Sequence, residues 1–154
     1  KTDAELAEVY QPILREHGIE VSDEVAGKAA GIMKERAQLT TDLWDLTSYF
    51  FIAPTQYEEK QTRKYWKGDN PAILRELRGV LEGIDDFSKE NTERIVHAWI
   101  EEKGYGMGQV MNTLRLALVG AGKGPGMYDV TEFIGREETL RRIDYLLDNL
   151  KPAE

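Results

Sequence analysis

One short segment combines a lysine with closely spaced glycines, a pattern that can bind phosphate. Residues 118–129 read LVGAGKGPGMYD, and an apolar run precedes them. The glycines occupy every second position around Lys123: they are Gly120, Gly122, Gly124 and Gly126. Exposed backbone amides beside a lysine are typical of loops that cradle phosphate groups. The first question is therefore whether this segment is a nucleotide-binding loop or a site for another phosphate.

The segment does not match a nucleotide-binding loop. The phosphate loop of nucleotide-binding proteins has a Ser or Thr after its lysine to hold magnesium, but Lys123 is followed by Gly124. Such a loop also follows a strand and opens a helix. Here the spacing of apolar residues over 107–119 predicts an amphipathic helix before the glycines. We therefore expect no nucleotide cofactor at this loop.

Acidic residues are missing from this region although the chain as a whole is acidic. The 154 residues include 28 Asp and Glu and 20 Lys and Arg, for a net charge of −8. That excess argues against general nucleic-acid binding. Residues 103–128, however, contain no acid, whereas an even distribution would place about five there. The part of this segment around Lys123 is predicted to accept an anion, and the alternative is a glycine turn that lacks acids by chance.

Composition excludes several classes of function. There is no cysteine and only two histidines, His17 and His97, so we expect neither disulfides nor a metal site. No stretch approaches the ~20 apolar residues of a membrane span, and a cytoplasmic protein is expected. No nucleophile or acid–base pair is evident, so no catalytic residue is predicted. The chain begins at Lys1 rather than Met, from which we expect a piece of a longer protein.

Helical spacing of apolar residues runs along almost the whole chain. The clearest pattern is at positions i, i+4, i+7, i+8 and i+11, occupied by Ile73, Leu77, Val80, Leu81 and Ile84. Capping residues and glycines predict helices over 4–16, 58–66, 88–104 and 107–119, with others beginning after 22, 40 and 69 and a last one from about 136. No segment alternates as a strand does. We predict an all-α fold, a helical bundle or cage of two packed subdomains, residues 1–55 and 56–154, divided at Ala53-Pro54-Thr55.

Two segments resemble the C-terminal region of bacterial glutamyl-tRNA synthetases, which are class I aminoacyl-tRNA synthetases. Residues 106–143, GMGQVMNTLRLALVGAGKGPGMYDVTEFIGREETLRRI, are similar to that family's C-terminal signature. Residues 34–51, KERAQLTTDLWDLTSYFF, are similar to an upstream segment in the same order and separation. Thr113 and Val119 depart from the family's usual proline and threonine, so contacts of that threonine hydroxyl are not carried over. The resemblance covers essentially the whole chain.

The resemblance implies a helical anticodon-binding region whose partner is tRNA(Glu). It also implies a catalytic domain elsewhere in the same chain, which attaches glutamate using ATP with Mg. The sequence motifs of that catalytic domain are absent here, so this part alone is expected to be inactive and to hold no cofactor. A monomer with no membrane partner is expected.

The resemblance also implies which residues contact RNA. It places Arg115, Gly124, Pro125, Met127 and Tyr128 at positions that line the pocket for the first two anticodon bases. Gly124 and Met127 differ from common family choices, so only backbone or apolar contacts carry over to them. Arg115 and Tyr128 could serve as stacking planes. The alternatives are core packing for Met127 and Tyr128 and a solvated helical charge for Arg115.

Lys123 is predicted to contact a phosphate of the RNA backbone, which would explain a lysine among glycines that is not a nucleotide loop. The region around it has the accessible backbone and the lack of acids that recognition of a single-stranded RNA loop requires.

Arg36 occupies the position that, by the resemblance, reads the third anticodon base. Arginine offers only hydrogen-bond donors. The edge of cytosine presents O2 and N3 as acceptors, whereas guanine presents two donors beside one acceptor. A donor-only side chain in a tight pocket therefore favours C over G. The alternative is a charge at the end of a helix that interacts with the helix dipole.

A second function remains open. An acidic all-helical domain could serve protein interaction or scaffolding, with a basic protein as its partner. A scaffold, however, gives no reason for an acid-free, glycine-rich segment close to several arginines.

Overall fold

The computed structural model describes residues 2–34 and 40–153, and almost all of the regular structure there is helical. A single turn of 3-10 helix covers Ser48–Phe50, and the described residues contain no strand, only one isolated bridge between Lys67 and Ala153. The prediction of an all-α fold is confirmed. No helix among the described residues is long and apolar enough to span a membrane. The helices are α1 Asp3–Glu16, α2 Asp23–Met33, α3 Thr40–Thr47, α4 Glu59–Tyr65, α5 Asn70–Glu82, α6 Lys89–Lys103, α7 Met107–Val119 and α8 Met127–Asn149.

The chain divides into two compact units, Lys1–Ile52 and Ala53–Glu154. The predicted boundary between residues 55 and 56 lies in the same irregular segment, which separates the 3-10 turn from α4.

The first unit is built on the pairing of α1 with α2. Thr2 and Glu5 form a capping box at the start of α1, in which the Glu5 amide donates to the Thr2 hydroxyl. The Ser22 hydroxyl caps α2 by accepting from the Val25 amide. Pro12 neither ends nor divides α1, which continues to Glu16. The buried hydrophobic residues that the two helices contribute are Leu6, Ala7, Tyr10, Leu14, Ala26, Ala29, Ala30 and Met33.

The second unit has its core between α5, α6, α7 and α8. Trp66, which follows α4, joins this core to the end of the chain. Its buried indole Nε1 donates to the Leu150 carbonyl at 2.8 Å, and the Ala153 amide donates to the Trp66 carbonyl at 2.7 Å. The buried leucines and isoleucines of the unit are Ile73, Leu74, Leu77, Leu81, Ile84, Ile100, Leu114, Leu116, Leu118, Ile143 and Leu146.

The last helix differs from its prediction. It begins at Met127 rather than near Arg136, and it is interrupted at Gly135, whose φ of 85° and ψ of 169° are not helical. The Thr139 hydroxyl donates to the Gly135 carbonyl at 2.7 Å and so supports the start of the second half. The residues before Gly135 form a short helix between two glycines, and such a segment carries too few apolar repeats to be recognised from sequence.

A buried arginine joins the end of α7 to the second half of α8. Arg142 is only 2% exposed. Its Nη1 donates to the Leu118 carbonyl at 3.0 Å, and its Nε donates to Glu138 Oε2 at 2.7 Å. Leu118 is in the last turn of α7, where carbonyls have no partner within the helix. Burial lowers the pKa of Arg142, and the hydrogen bond to Glu138 opposes that shift.

We expect Arg142→Ala to destabilise the second unit by about 3 kcal/mol, because it leaves the Leu118 carbonyl buried without a partner and removes a buried charge pair. Arg141→Ala is the matched control, since Arg141 pairs with the same Glu138 but its side chain is 56% exposed. The control should cost less than about 1 kcal/mol. Urea unfolding followed by circular dichroism measures both. Equal losses would show that Arg142 contributes no more than a surface pair.

Candidate nucleic-acid interface

The glycine-rich segment forms the connection between α7 and α8. Gly120 ends α7 in the left-handed region with φ of 76°, and its amide donates to the Leu116 carbonyl at 2.9 Å. The glycines therefore follow a helix, as predicted. We call residues 120–126 the glycine loop.

Contacts with α4 and the residues before it hold the start of the glycine loop. The Glu58 amide donates to the Gly120 carbonyl at 2.8 Å, and the Gly122 amide donates to Glu58 Oε1 at 2.8 Å. A Cβ atom at Gly120 would lie 2.7 Å from the Gln56 carbonyl oxygen and 2.9 Å from the Pro54 Cβ. At Gly120, the bare backbone is thus needed for packing against the protein itself.

Arg115 fastens the other end of the glycine loop. Its Nη1 donates to the Pro125 carbonyl at 2.7 Å, and the side chain is half-buried. The geometry does not fit the alternative of a solvated helical charge. Arg115 determines where Pro125 lies relative to α7, while direct contact of its guanidinium with RNA stays a prediction.

Lys123 projects from the middle of the glycine loop and is exposed. No carboxylate among residues 2–34 and 40–153 forms a salt bridge with it. Its neighbour Gly124 is half-buried, and Pro125 is buried. Of the predicted RNA contacts in this loop, Lys123 is the one whose side chain is exposed and whose charge is uncompensated within the described part of the chain.

Met127 and Tyr128 lie in the core rather than on the surface of the loop. Met127 is 4% exposed and Tyr128 is 6% exposed. The Tyr128 ring packs edge-to-face on His97, with ring centroids 5.5 Å apart, and burial raises the pKa of its hydroxyl. A ring enclosed in this way does not present a stacking plane. The placement favours the core-packing alternative for these two side chains, and their contribution to RNA binding stays a prediction.

The segment that lacks acids in sequence does not lack them in space. Glu58, which is distant from the loop in the sequence, directs its carboxylate into the glycine loop to accept from the Gly122 amide. The neighbouring cations of α4 were not among the residues predicted to contact RNA. The signal that could have identified them was an acid-free run with four cations, KQTRKYWKG, at residues 60–68.

Arg36, the predicted reader of the third anticodon base, lies outside the described residues. Among those that are described, no group of three or more His, Asp or Glu side chains is placed to hold a metal ion.

The chain is similar to known proteins over nearly its whole length. A family model described as an anticodon binding domain matches residues 5–147. Glutamate–tRNA ligases of Phocaeicola vulgatus and Bacteroides fragilis are 49% and 48% identical to the chain over 98% of its length. The chain spans 30% of the length of these relatives.

Solved structures agree with the sequence comparisons. A crystal structure of a glutamate tRNA ligase from Elizabethkingia meningosepticum, in complex with its amino acid, is 38% identical and has a TM-score of 0.91. The similarity covers 98% of this chain and 30% of that one. A glutamate-tRNA synthetase from Elizabethkingia anophelis has a TM-score of 0.85 at 37% identity over 97% of this chain and 29% of that one.

The close approach at Gly120 can be separated from its backbone conformation. Gly104 ends α6 with nearly the same φ, 74°, but a Cβ there would meet open space. We expect Gly104→Ala to cost about 1 kcal/mol, from left-handed strain alone. Gly120→Ala should cost at least about 1 kcal/mol more, because the backbone of Gln56 must move as well. Thermal and urea unfolding measure the difference. If the two variants lose the same stability, the contact with Gln56 does not hold the loop.

Proposed function

This chain belongs to the anticodon-binding domain family, and from that membership we propose that it recognises the anticodon loop of tRNA(Glu) as part of a glutamate–tRNA ligase. The observation that carries the proposal is the family match over residues 5–147, which extends across both units. Membership of such a family implies tRNA as the partner. The alternative of a protein-interaction scaffold is not favoured, because relatives almost half identical to the chain are glutamate–tRNA ligases.

The proposed recognition uses a loop held rigidly at both ends. Proteins read single-stranded RNA loops through close approach of the backbone, hydrogen bonds to base edges and contacts with phosphates. In the glycine loop, Arg115 fixes Pro125 and Glu58 fixes Gly122, which leaves Lys123 exposed between them. A loop fixed in this way loses little conformational entropy when it binds RNA.

The rest of the enzyme is proposed to lie in the same chain. A catalytic domain would attach glutamate to the tRNA using ATP with Mg, and the part described here would hold no cofactor and contribute no catalytic residue. We propose that the enzyme is a monomer and acts in the cytoplasm. The charging reaction then depends on this region only through the placement of the tRNA.

If Lys123 contacts a phosphate, binding of a tRNA(Glu) anticodon stem-loop should weaken as salt rises, and Lys123→Ala should reduce the slope of log K against log salt by about 0.7. The control is Lys103→Ala, which removes another lysine from the same unit, one whose Nζ lies 3.7 Å from Glu76. Fluorescence anisotropy at salt concentrations from about 50 to about 200 mM measures the slopes. A Lys123→Ala slope equal to that of the wild-type protein would place the lysine away from the RNA.

The role of Arg36 can be tested in the full-length enzyme. We expect Arg36→Gln to reduce the preference for C over G at the third anticodon position by roughly 10- to 100-fold. Glutamine carries both a donor and an acceptor and can pair with either base, whereas arginine serves only acceptors. The scale follows the ~1–3 kcal/mol that one mismatched base typically costs in protein–DNA sites.

The measurement is the ratio of kcat/KM for tRNA(Glu) and for a transcript whose third anticodon base is G. A parallel loss with both transcripts would make Arg36 a phosphate contact, and no loss with either would make it a solvated charge at the end of a helix.

A further inference from the structure

The helix that holds the glycine loop is the most cationic short segment of an otherwise acidic chain. Residues 60–68 contain four cations and no acid, within a chain whose net charge is −8. All four side chains belong to exposed residues: Lys60, Arg63, Lys64 and Lys67. A local excess of positive charge on a negative protein creates a field directed at anions over that surface.

The two acids that directly precede this run already have partners. Glu59 pairs with Arg63, one turn further along α4, at 3.0 Å. Glu58 accepts from the Gly122 amide. Lys60, Lys64 and Lys67 form no salt bridge with any carboxylate in the part of the chain that the structure describes. Their charges are therefore compensated by solvent ions, which an incoming polyanion would release.

These lysines lie beside the glycine loop. Gln61 of α4 contacts the loop, since a Cβ at Gly122 would lie 2.5 Å from its Nε2. Lys60 and Lys64 are four residues apart, so they share one face of α4. Successive residues of a helix are rotated by about 100°, and Gln61 is one residue after Lys60 and three before Lys64. That face is adjacent to the side that carries Gln61. Lys123 directly follows Gly122, and the cations of α4 belong to the same helix that contacts the glycine loop.

We infer that the exposed face of α4, through Lys60 and Lys64, binds backbone phosphates of the RNA that Lys123 also contacts. The inference rests on the proposed function and extends its site from the glycine loop to a second element. Because Glu58, the residue before α4, is hydrogen-bonded to the loop, the backbone segments that carry the two sets of cations are held together, which suits binding to one RNA strand. Lysine is suited to this role as a compact charge on a flexible stem that adapts to phosphate positions.

The alternative partner for this face is an acidic protein. An RNA backbone fits better, because Lys60 and Lys64 lie on a helix that contacts the glycine loop in a chain of a tRNA-binding family, and no exposed aromatic or aliphatic cluster on α4 accompanies them. Protein interfaces are typically anchored by such clusters. Competition by polyglutamate distinguishes the two partners. A face that binds acidic proteins would also bind polyglutamate, which would then displace the RNA.

The experiment compares three double variants in salt titrations with the anticodon stem-loop of tRNA(Glu). Lys60→Ala with Lys64→Ala removes both charges, and we expect the salt slope to fall by about 1.5 units. Lys60→Arg with Lys64→Arg keeps both charges and should keep the wild-type slope. Lys28→Ala with Lys103→Ala removes two lysines from other helices and should leave the slope within about 0.3 units of wild type. Circular dichroism of each variant reports its folding.

Each outcome supports or overturns the inference. It is overturned if the double alanine variant keeps the wild-type slope, if the arginine variant loses it, or if the control loses as much as the α4 variant. It is also overturned if polyglutamate, at the same concentration of charge, displaces the RNA as well as unlabelled stem-loop does. Failure of the proposed function is a separate result, because the wild-type protein would then show no preference for the stem-loop of tRNA(Glu) over that of another tRNA.

Discussion

The position of the glycine loop depends on how the end of α7 is held. A helix end leaves carbonyls without partners, and in a buried place these must be satisfied. Arg142 of α8 satisfies one of them at Leu118, while the Gly120 amide satisfies Leu116. The guanidinium is itself neutralised by Glu138, whose pKa is held below its usual range mainly by the hydrogen bond from Arg141. The loop therefore starts from a point that the core of the second unit determines.

The charges around the glycine loop come from residues that are distant from it in the sequence. Along the sequence, the region around Lys123 contains no acid, yet Glu58, the residue before α4, contacts the loop. The helix that follows Glu58 carries a group of cations, and these are also distant from the loop in the sequence. A carboxylate that accepts a backbone hydrogen bond is fixed in place, so the acid contributes to the shape of the site while the lysines around it remain free to respond to an anion.

Much of the fold could be predicted from the sequence, because helical periodicity and capping residues act locally. Ser22 and Ser88 mark helix starts, and Gly104 marks an end, as the structure shows. The contacts of the site residues were harder to predict from the sequence than the helices. Arg115 was predicted as either an RNA contact or a solvated charge, but its hydrogen bond to Pro125 depends on how a loop ten residues away returns to α7. Burial of Tyr128 depends likewise on contacts with α6 that no local pattern encodes.

The interruption of α8 at Gly135 has a consequence for the order in which the chain can fold. Helix formation is cooperative, and isolated helices shorter than ~12–15 residues are marginal in water. The stretch from Met127 to Gly135 is shorter than that. Because Gly135 is not helical, the longer half of α8 does not stabilise this stretch cooperatively. It becomes stable only when the apolar core has assembled, because Met127, Tyr128 and Val130 pack into that core. A partly folded chain accordingly lacks an ordered end to the glycine loop, which takes its final shape only once the core of the second unit is complete.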